Sequence, residues 1–114
     1  MRESTPRILV GTHAFTGTGY ETPAPLGVTY TVPSDRRAQT VYFRAGNSTA
    51  EMISVVLVRD GEPMRSFPIG AKAAIHIPLV VVEDLQPETK LEMHVLAPAG
   101  CTGTLVLDMG FVEI

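Results

Sequence analysis

The sequence predicts a fold built entirely from β-strands, a single antiparallel β-sandwich or jelly roll of about eight strands. Short runs rich in Val, Ile, Thr, Tyr and Phe recur between Gly, Pro, Asn and Asp residues, at the spacing expected of a sandwich or barrel. Several runs alternate apolar and polar residues, and no stretch is well supported as a helix. The 114 residues match the commonest size of one domain and leave no room for a second.

The eight predicted strands lie between these turn-forming residues. They span approximately Arg7–Phe15, Gly27–Val32, Ala38–Arg44, Glu51–Arg59, Met64–Pro68, Ala73–Val80, Lys90–Leu96 and Thr104–Val112. In the sixth and seventh strands, apolar residues alternate with outward positions such as His76 and His94. Strands with one apolar face are typical of antiparallel sheets.

Two connections carry clear turn chemistry. Asp60-Gly61 is the strongest hairpin signal in the chain, because both residues tolerate the positive φ angles of a two-residue β-turn. Gly46, Asn47 and Ser48 predict a second turn, after the third strand. The segment from Val82 to Glu88 has room for at most one turn of helix before a proline ends it.

The longest irregular stretch runs from Thr16 to Leu26 and contains two glycines and two prolines. We interpret it as a loop, and binding residues concentrate on loops held by a rigid scaffold. Tyr20 and Tyr30 are candidates for stacking on a sugar or aromatic ligand. The adjacent pair Arg36 and Arg37 is a candidate contact for an anion or a partner. The alternative is a segment that covers a sheet edge or contacts another subunit.

Composition and charge argue against several functions. The formal charge of −3 is spread over the chain without a basic stripe, so nucleic-acid binding is not expected. The longest apolar run, from Ile75 to Val82, is interrupted by a histidine and a proline and is too short to cross a membrane. No export signal precedes the first strand, which predicts a cytoplasmic or virion-associated protein. Cys101 is the single cysteine, so no internal disulfide is possible.

Catalytic and metal-binding patterns are lacking in the sequence. No nucleophile stands beside a nominated base, no phosphate loop is present, and the carboxylates lie mostly at strand ends. We therefore predict a protein that is not an enzyme and uses no cofactor. One metal hypothesis stays open, in which His76 and His94 lie on neighbouring strands and share a metal with Glu92 or Asp84.

Self-association is the main expectation about partners. Only 18% of the residues are charged while 45% are apolar, which leaves few charged groups to solvate an isolated domain. The candidate interface comprises Tyr20 in the long irregular stretch, Leu96 on the outward face of its strand, and Phe111, Val112 and Ile114 in the terminal strand. Consecutive apolar residues in that strand cannot all face one core. The alternative is a terminal strand buried on both faces. A homo-oligomer, or a place in a larger protein assembly, is the predicted state.

From Gln39 onward the layout resembles the small immunoglobulin-like or jelly-roll domains of tailed-phage virion proteins. The matching features are a strand ending in residues 45–48, the hairpin at Asp60-Gly61, a turn at residues 68–71 and a closing C-terminal strand. The resemblance implies a capsid decoration or tail component. Residues 39–77 also loosely resemble the sensory rhodopsin transducer family of oligomeric β-sandwiches. The competing functions are a small-ligand, carbohydrate-like binding module and an accessory subunit of a larger complex.

Overall fold

A computed structural model describes residues 3–79 and 83–114 as two antiparallel β-sheets and confirms the predicted fold class. Sheet A contains β1 (Thr5–Thr16), β3 (Ala38–Asn47), β6 (Ala74–Pro78), β7 (Asp84–Leu85) and β9 (Thr102–Glu113). Sheet B contains β2 (Gly19–Thr31), β4 (Ile53–Arg59), β5 (Glu62–Ile69) and β8 (Lys90–Ala97). The part of the chain described here has no helix long and apolar enough to cross a membrane.

The strand order is that of a jelly roll. Sheet A runs β1-β9-β3-β6 with β7 also paired to β3, and sheet B runs β2-β8-β4-β5. Successive strands mostly alternate between the sheets, so β1 and β2 lie at the same side of the sandwich but in different sheets. β4 and β5 form a hairpin within sheet B through the predicted Asp60-Gly61 turn, where both φ angles are positive, at 48° and 85°.

The core lies between the two sheets, and two pairs of aromatic rings stack across it, with one ring of each pair from each sheet. Phe43 of β3 stacks on Phe67 of β5 with ring centroids 4.3 Å apart. Tyr30 of β2 stacks on Phe111 of β9 with ring centroids 4.6 Å apart. The buried aliphatic residues of β8 and β9 belong to the same core cluster. Each sheet therefore contributes one alternating set of side chains to a shared core.

The predicted loop from Thr16 to Leu26 is wrong, because most of it is strand. β1 continues to Thr16, Gly17 and Thr18 make the turn, and β2 starts at Gly19. β2 is an edge strand of sheet B with register shifts between Gly19 and Ala24 and between Pro25 and Val28. Prolines are tolerated on edge strands and at bulges, where no ladder hydrogen bond is lost.

The other strand predictions hold to within a few residues at their ends. The structure also contains a strand that was not predicted, β7. Its two residues pair with the start of β3 and lie inside the segment interpreted as a short turn. Val80, the predicted end of the sixth strand, and Val82, the predicted start of that turn, lie outside the described residues.

Candidate functional site

The outer face of sheet A is built from three rows of side chains that cross the sheet. The strand registers place Ile8, Gly110, Tyr42 and Pro78 in one row, Val10, Asp108, Arg44 and His76 in the next, and Thr12, Val106, Gly46 and Ala74 in the third. Since cross-strand partners point to the same side of a sheet, each row is continuous on the surface. The polar groups of Asp108, Arg44 and His76 thus lie between the row of Tyr42 and the row that contains the small residues Gly46 and Ala74.

A groove of about 450 Å³ opens on this face. Gly46 forms part of its floor, and a Cβ built there would lie 3.9 Å from Val106 and 4.0 Å from Ala74. Because no side chain fills the space above Gly46, the sheet surface is recessed between its neighbours. The groove is lined by Val10, Ala45, Gly46, Ala74, Ile75, Val106 and Leu107 together with the polar residues Arg44, His76 and Asp108.

The ring of Tyr42 lies across the backbone of Gly110, beside the groove residues Asp108 and His76. A Cβ at Gly110 would fall 2.2 Å from a ring carbon, so only glycine leaves room for the ring there. The edge of the ring also meets His76, with centroids 6.0 Å apart and planes at 88°. This packing holds a partly exposed aromatic ring against the sheet beside the polar row.

Asp108 organises the polar groups. Its carboxylate accepts a hydrogen bond of 2.6 Å from the Tyr42 hydroxyl and lies 3.6 Å from Nη1 of Arg44. The hydrogen bond to Asp108, followed by partial burial, raises the pKa of Tyr42, so the hydroxyl stays protonated and acts as a donor. Arg44, whose side chain is 57% exposed, keeps most of its five N–H donors directed to solvent.

The two tyrosines predicted to stack on a ligand, Tyr20 and Tyr30, differ in their surroundings. Tyr20 is 47% exposed, and its hydroxyl donates to the Met52 carbonyl at 2.7 Å. Tyr30 is partly exposed; one ring face stacks on Phe111, and its hydroxyl donates to Glu113 at 2.5 Å. These contacts occupy one face of the ring and its hydroxyl, and ligand stacking by Tyr30 stays a prediction.

Glu113 is a buried carboxylate held at the end of the sandwich. It accepts hydrogen bonds from the Tyr30 hydroxyl and from Nε of Arg7 at 3.1 Å. Burial alone raises the pKa of a carboxyl group, but these hydrogen bonds outweigh it and the pKa of Glu113 is lowered. Burial, followed by the hydrogen bond to Glu113, raises the pKa of Tyr30 well above its ordinary value.

The arginine pair predicted to contact an anion or partner binds within the chain. Arg36 donates to the Glu3 carbonyl at 2.8 Å and to the Glu113 carbonyl at 3.4 Å. Arg37 forms an ion pair of 3.2 Å with Asp84, and its backbone exchanges two hydrogen bonds with Ile114. These contacts fasten the turn before β3 to the strands beside it.

The histidine pair proposed as a metal site is not formed. His76 lies on the outer face of sheet A and His94 on β8 of sheet B, so the sandwich separates them. His94 instead lies 3.4 Å from Glu92 on its own strand. Within residues 3–79 and 83–114, no three His, Cys, Asp or Glu side chains come together as metal ligands.

The predicted interface residues divide between the core and the surface. Phe111 is 2% exposed and belongs to the core, so its assignment to an interface is wrong. Leu96, on the outer face of sheet B, and Val112, on the outer face of sheet A, are partly exposed, and Ile114 is 39% exposed. The most exposed apolar residues were not predicted. Among the described residues they are Val10 at 72%, Ile8 at 62%, Met52 at 52% and Val106 at 51%, and all of these except Met52 lie on sheet A.

Comparisons with solved structures define the fold. The CBM36-1 domain of a multidomain xylanase from the hindgut metagenome of Trinervitermes trinervoides matches with a TM-score of 0.62 and 16% identity, over 95% of this chain and 96% of that one. A carbohydrate-binding module CBM36 in complex with calcium and xylotriose matches with a TM-score of 0.60 and 17% identity, over 96% and 99%. The fold is a jelly-roll sandwich. At such identity the likeness extends to the fold alone.

Virus capsid proteins share the same architecture. The structure of T=1 particles derived from infectious bursal virus matches with a TM-score of 0.57 and 11% identity, over 97% of this chain but 32% of that one. The predicted resemblance to a virion β-sandwich is thus supported at the level of fold, though not specifically for tailed-phage proteins. No protein-family model and no curated protein matches the sequence.

The polar residues in and beside the groove were not predicted from the sequence, for an identifiable reason. Tyr42, Arg44 and Asp108 stand in alternate positions of two strands, which reads as the ordinary polar face of an antiparallel sheet. Their meeting depends on β9 pairing with β3, two strands more than fifty residues apart in the chain. One signal was available, since Gly46 and Gly110 within strands often mark places where another group approaches the backbone closely.

Proposed function

We propose that the protein is a non-catalytic binding module whose groove on the outer face of sheet A takes a carbohydrate or a similar polyhydroxylated ligand. The observation that carries the proposal is the arrangement of three rows on that face, an aromatic ring, a polar row and a recess floored by glycine. A sugar ring has one face of C–H groups and a rim of hydroxyls. Such a ligand needs apolar contact and hydrogen-bond partners side by side.

Each row has a part in this binding. The Tyr42 ring offers a partly exposed aromatic surface for the C–H face of a sugar. Arg44 supplies donors and Asp108 keeps acceptor positions beyond those used by Tyr42 and Arg44, since a carboxylate accepts about four hydrogen bonds. Ala74 and Gly46 leave depth for the ring itself. The similarity in fold to carbohydrate-binding modules along nearly the whole of both chains supports the same ligand class.

The groove favours binding over glycoside hydrolysis. Most glycoside hydrolases use two carboxyl groups, one on each side of the scissile bond. Among the described residues lining this groove, the carboxyl group is that of Asp108 alone, and it is held by Tyr42 and Arg44. A bound sugar would therefore meet a hydrogen-bonding site without an acid and base pair.

The test is an NMR titration of labelled protein with xylotriose, cellotriose and maltotriose. Binding is expected to shift the backbone resonances of β3, β6 and β9 around the groove, and Arg44→Ala is expected to weaken it at least about tenfold by removing a charged donor. Arg44 is largely exposed, so the variant retains its fold. Tyr42→Ala tests the aromatic surface, with Tyr20→Ala as the matched control outside the groove.

Two results would reject the proposal. In the first, none of the three oligosaccharides perturbs the groove resonances. In the second, an oligosaccharide binds and Arg44→Ala and Tyr42→Ala bind it as well as Tyr20→Ala does. A shift confined to residues outside the groove would place a ligand elsewhere and also reject this site.

A structural, self-assembling role is the second candidate. The observation in its favour is the exposure of Ile8, Val10 and Val106 on β1 and β9, since large exposed apolar patches commonly mark interaction sites. Viral capsid domains with the same fold give it a precedent. The two roles are compatible if the contact between copies leaves the groove open.

A further inference from the structure

The edges of the two sheets, as far as the structure describes them, differ sharply in how well they are protected against pairing with another strand. Natural sheets protect their edges with prolines, bulges, charges or short strands. β2 carries two prolines and two register shifts, and β5 carries two prolines and one shift in its pairing with β4. β6 has five residues and ends in a proline. Each of these three edges has at least one such device.

β1 has almost none. It is a twelve-residue strand whose pairing with β9 runs without a register shift from Thr5 to Thr16. Pro6, near its start, is its one proline, and residues 8–16 contain no Asp, Glu, Lys or Arg. Among the described residues, β9 is the only strand paired with β1. The opposite edge of β1 therefore presents about 40 Å of regular backbone.

The side chains of this edge are also apolar. Ile8 is 62% and Val10 is 72% exposed, and both point to the outer face of sheet A. A cavity of about 240 Å³ opens at the seam between β1 and β2, where Leu9 and Val28 border the core residues Met93 and Leu107. An additional strand beside β1 would cover both the apolar side chains and the opening of this cavity.

We infer that β1 pairs antiparallel with β1 of a second copy, which joins two A sheets into one continuous sheet. A twofold axis near Leu9 sets Ile8 of each copy opposite Val10 of the other, so the two most exposed apolar residues contact each other twice. A strand that pairs with itself in this way forms a self-complementary interface, and the charge-free stretch around the axis brings no like charges together. The occupant is therefore a second copy of this chain.

This pairing leaves the sugar groove accessible. Val10 lies at the border between the contact and the groove, whereas the other residues that line the groove belong to β3, β6 and β9, so the two grooves of a dimer lie open on the same side of one extended sheet. The inference develops the self-assembling role and does not depend on carbohydrate binding. Mass measurements test the pairing and the NMR titration tests the groove, so either can fail alone.

The test is light scattering during size-exclusion chromatography over a dilution series of the full chain. The expected wild-type mass is twice the 12.3 kDa of the chain. The double variant Ile8→Lys/Val10→Lys places like charges opposite each other at two cross-strand pairs and is expected to raise the dimer dissociation constant at least about tenfold. Both positions are exposed, and circular dichroism checks that the variant remains folded.

Two single variants define the surface. Met52→Lys changes an apolar residue that is 52% exposed away from β1 and is expected to leave the dimer intact. Val106→Lys changes the outer face on β9 without touching the β1 edge. It is expected to have no effect on edge pairing, whereas it would disrupt two copies packed face to face.

A monomeric wild-type protein at every concentration would overturn the inference. So would a dimer that survives Ile8→Lys/Val10→Lys, or one that Val106→Lys dissociates equally well. Amide hydrogen exchange gives an independent readout, because the amides of β1 that point away from β9 should exchange more slowly in the wild-type dimer than in the double variant.

Discussion

Two glycines on the outer face of sheet A offer a matched pair of substitutions with opposite expected effects. Neither Gly46 nor Gly110 has a positive φ angle, so alanine suits both backbones. At Gly46 a new Cβ would make ordinary contacts at 3.9 and 4.0 Å, whereas at Gly110 it would lie 2.2 Å from the ring of Tyr42. The difference between the two variants thus isolates the packing of that ring.

The magnitudes follow from these distances. Gly46→Ala is expected to stabilise the fold by about 0.4–1 kcal/mol, because alanine restricts the unfolded chain. Gly110→Ala forces the Tyr42 ring away, which costs about 1–3 kcal/mol for overpacking and breaks the hydrogen bond to Asp108. We expect the two variants to differ by about 2–4 kcal/mol. For a chain of 114 residues, each kcal/mol corresponds to about 4 °C in melting temperature.

Thermal unfolding followed by circular dichroism measures the difference, with urea unfolding as a second estimate. Equal melting temperatures for the two variants would refute the packing of Tyr42 on Gly110. The pair also bears on binding, because Gly46→Ala fills the recess of the groove without loss of stability. A stable Gly46→Ala protein with weakened sugar affinity would locate the ligand over that glycine.

Three further predictions concern the core, the pH dependence and the hairpin. Phe111→Ala should lower the free energy of unfolding by about 3–5 kcal/mol in urea titrations, so Phe111→Asp should unfold the protein; a wild-type midpoint for Phe111→Ala would contradict its burial. Because its folded-state pKa is lowered, Glu113 stabilises the fold above its unfolded pKa of about 4.3, and this contribution is lost as pH falls through the folded value. Glu113→Gln should flatten that pH dependence below about pH 5, and an unchanged profile would argue against it. Gly61, with φ at 85°, should not tolerate alanine, and Gly61→Ala should lower the melting temperature by at least about 4 °C.

Local chemistry made some elements predictable from the sequence. The Asp60-Gly61 hairpin follows from two residues that accept positive φ, and the apolar alternation in β8 identifies its inner face. Neither inference needs to know which strands are neighbours. The same holds for the overall class, since turn-forming residues at short intervals leave little room for anything but a sandwich or barrel.

What the sequence did not reveal depends on pairing between distant strands. The prolines of residues 23 and 25 suggested a loop, but a strand at a sheet edge with register shifts accommodates them. His76 and His94 were correctly predicted to face outward. Because their strands belong to different sheets, however, the two side chains lie on opposite sides of the molecule. Phe111 and Val112 are adjacent apolar residues, and only the register with β3 decides that Phe111 is the buried one.

The position of β9 has a consequence for how the protein is made. β9 lies between β1 and β3 in sheet A, although it follows all the other strands in the chain. On the ribosome, β1 is therefore synthesised long before its partner, and sheet A stays incomplete until about a hundred residues have emerged. Sheet B is under nearly the same constraint, because its central strand β8 lies between β2 and β4 and ends only at Ala97. We expect the local β4-β5 hairpin to form first, with β1 and β2 unpaired and exposed to chaperones and neighbouring nascent chains for several seconds of translation.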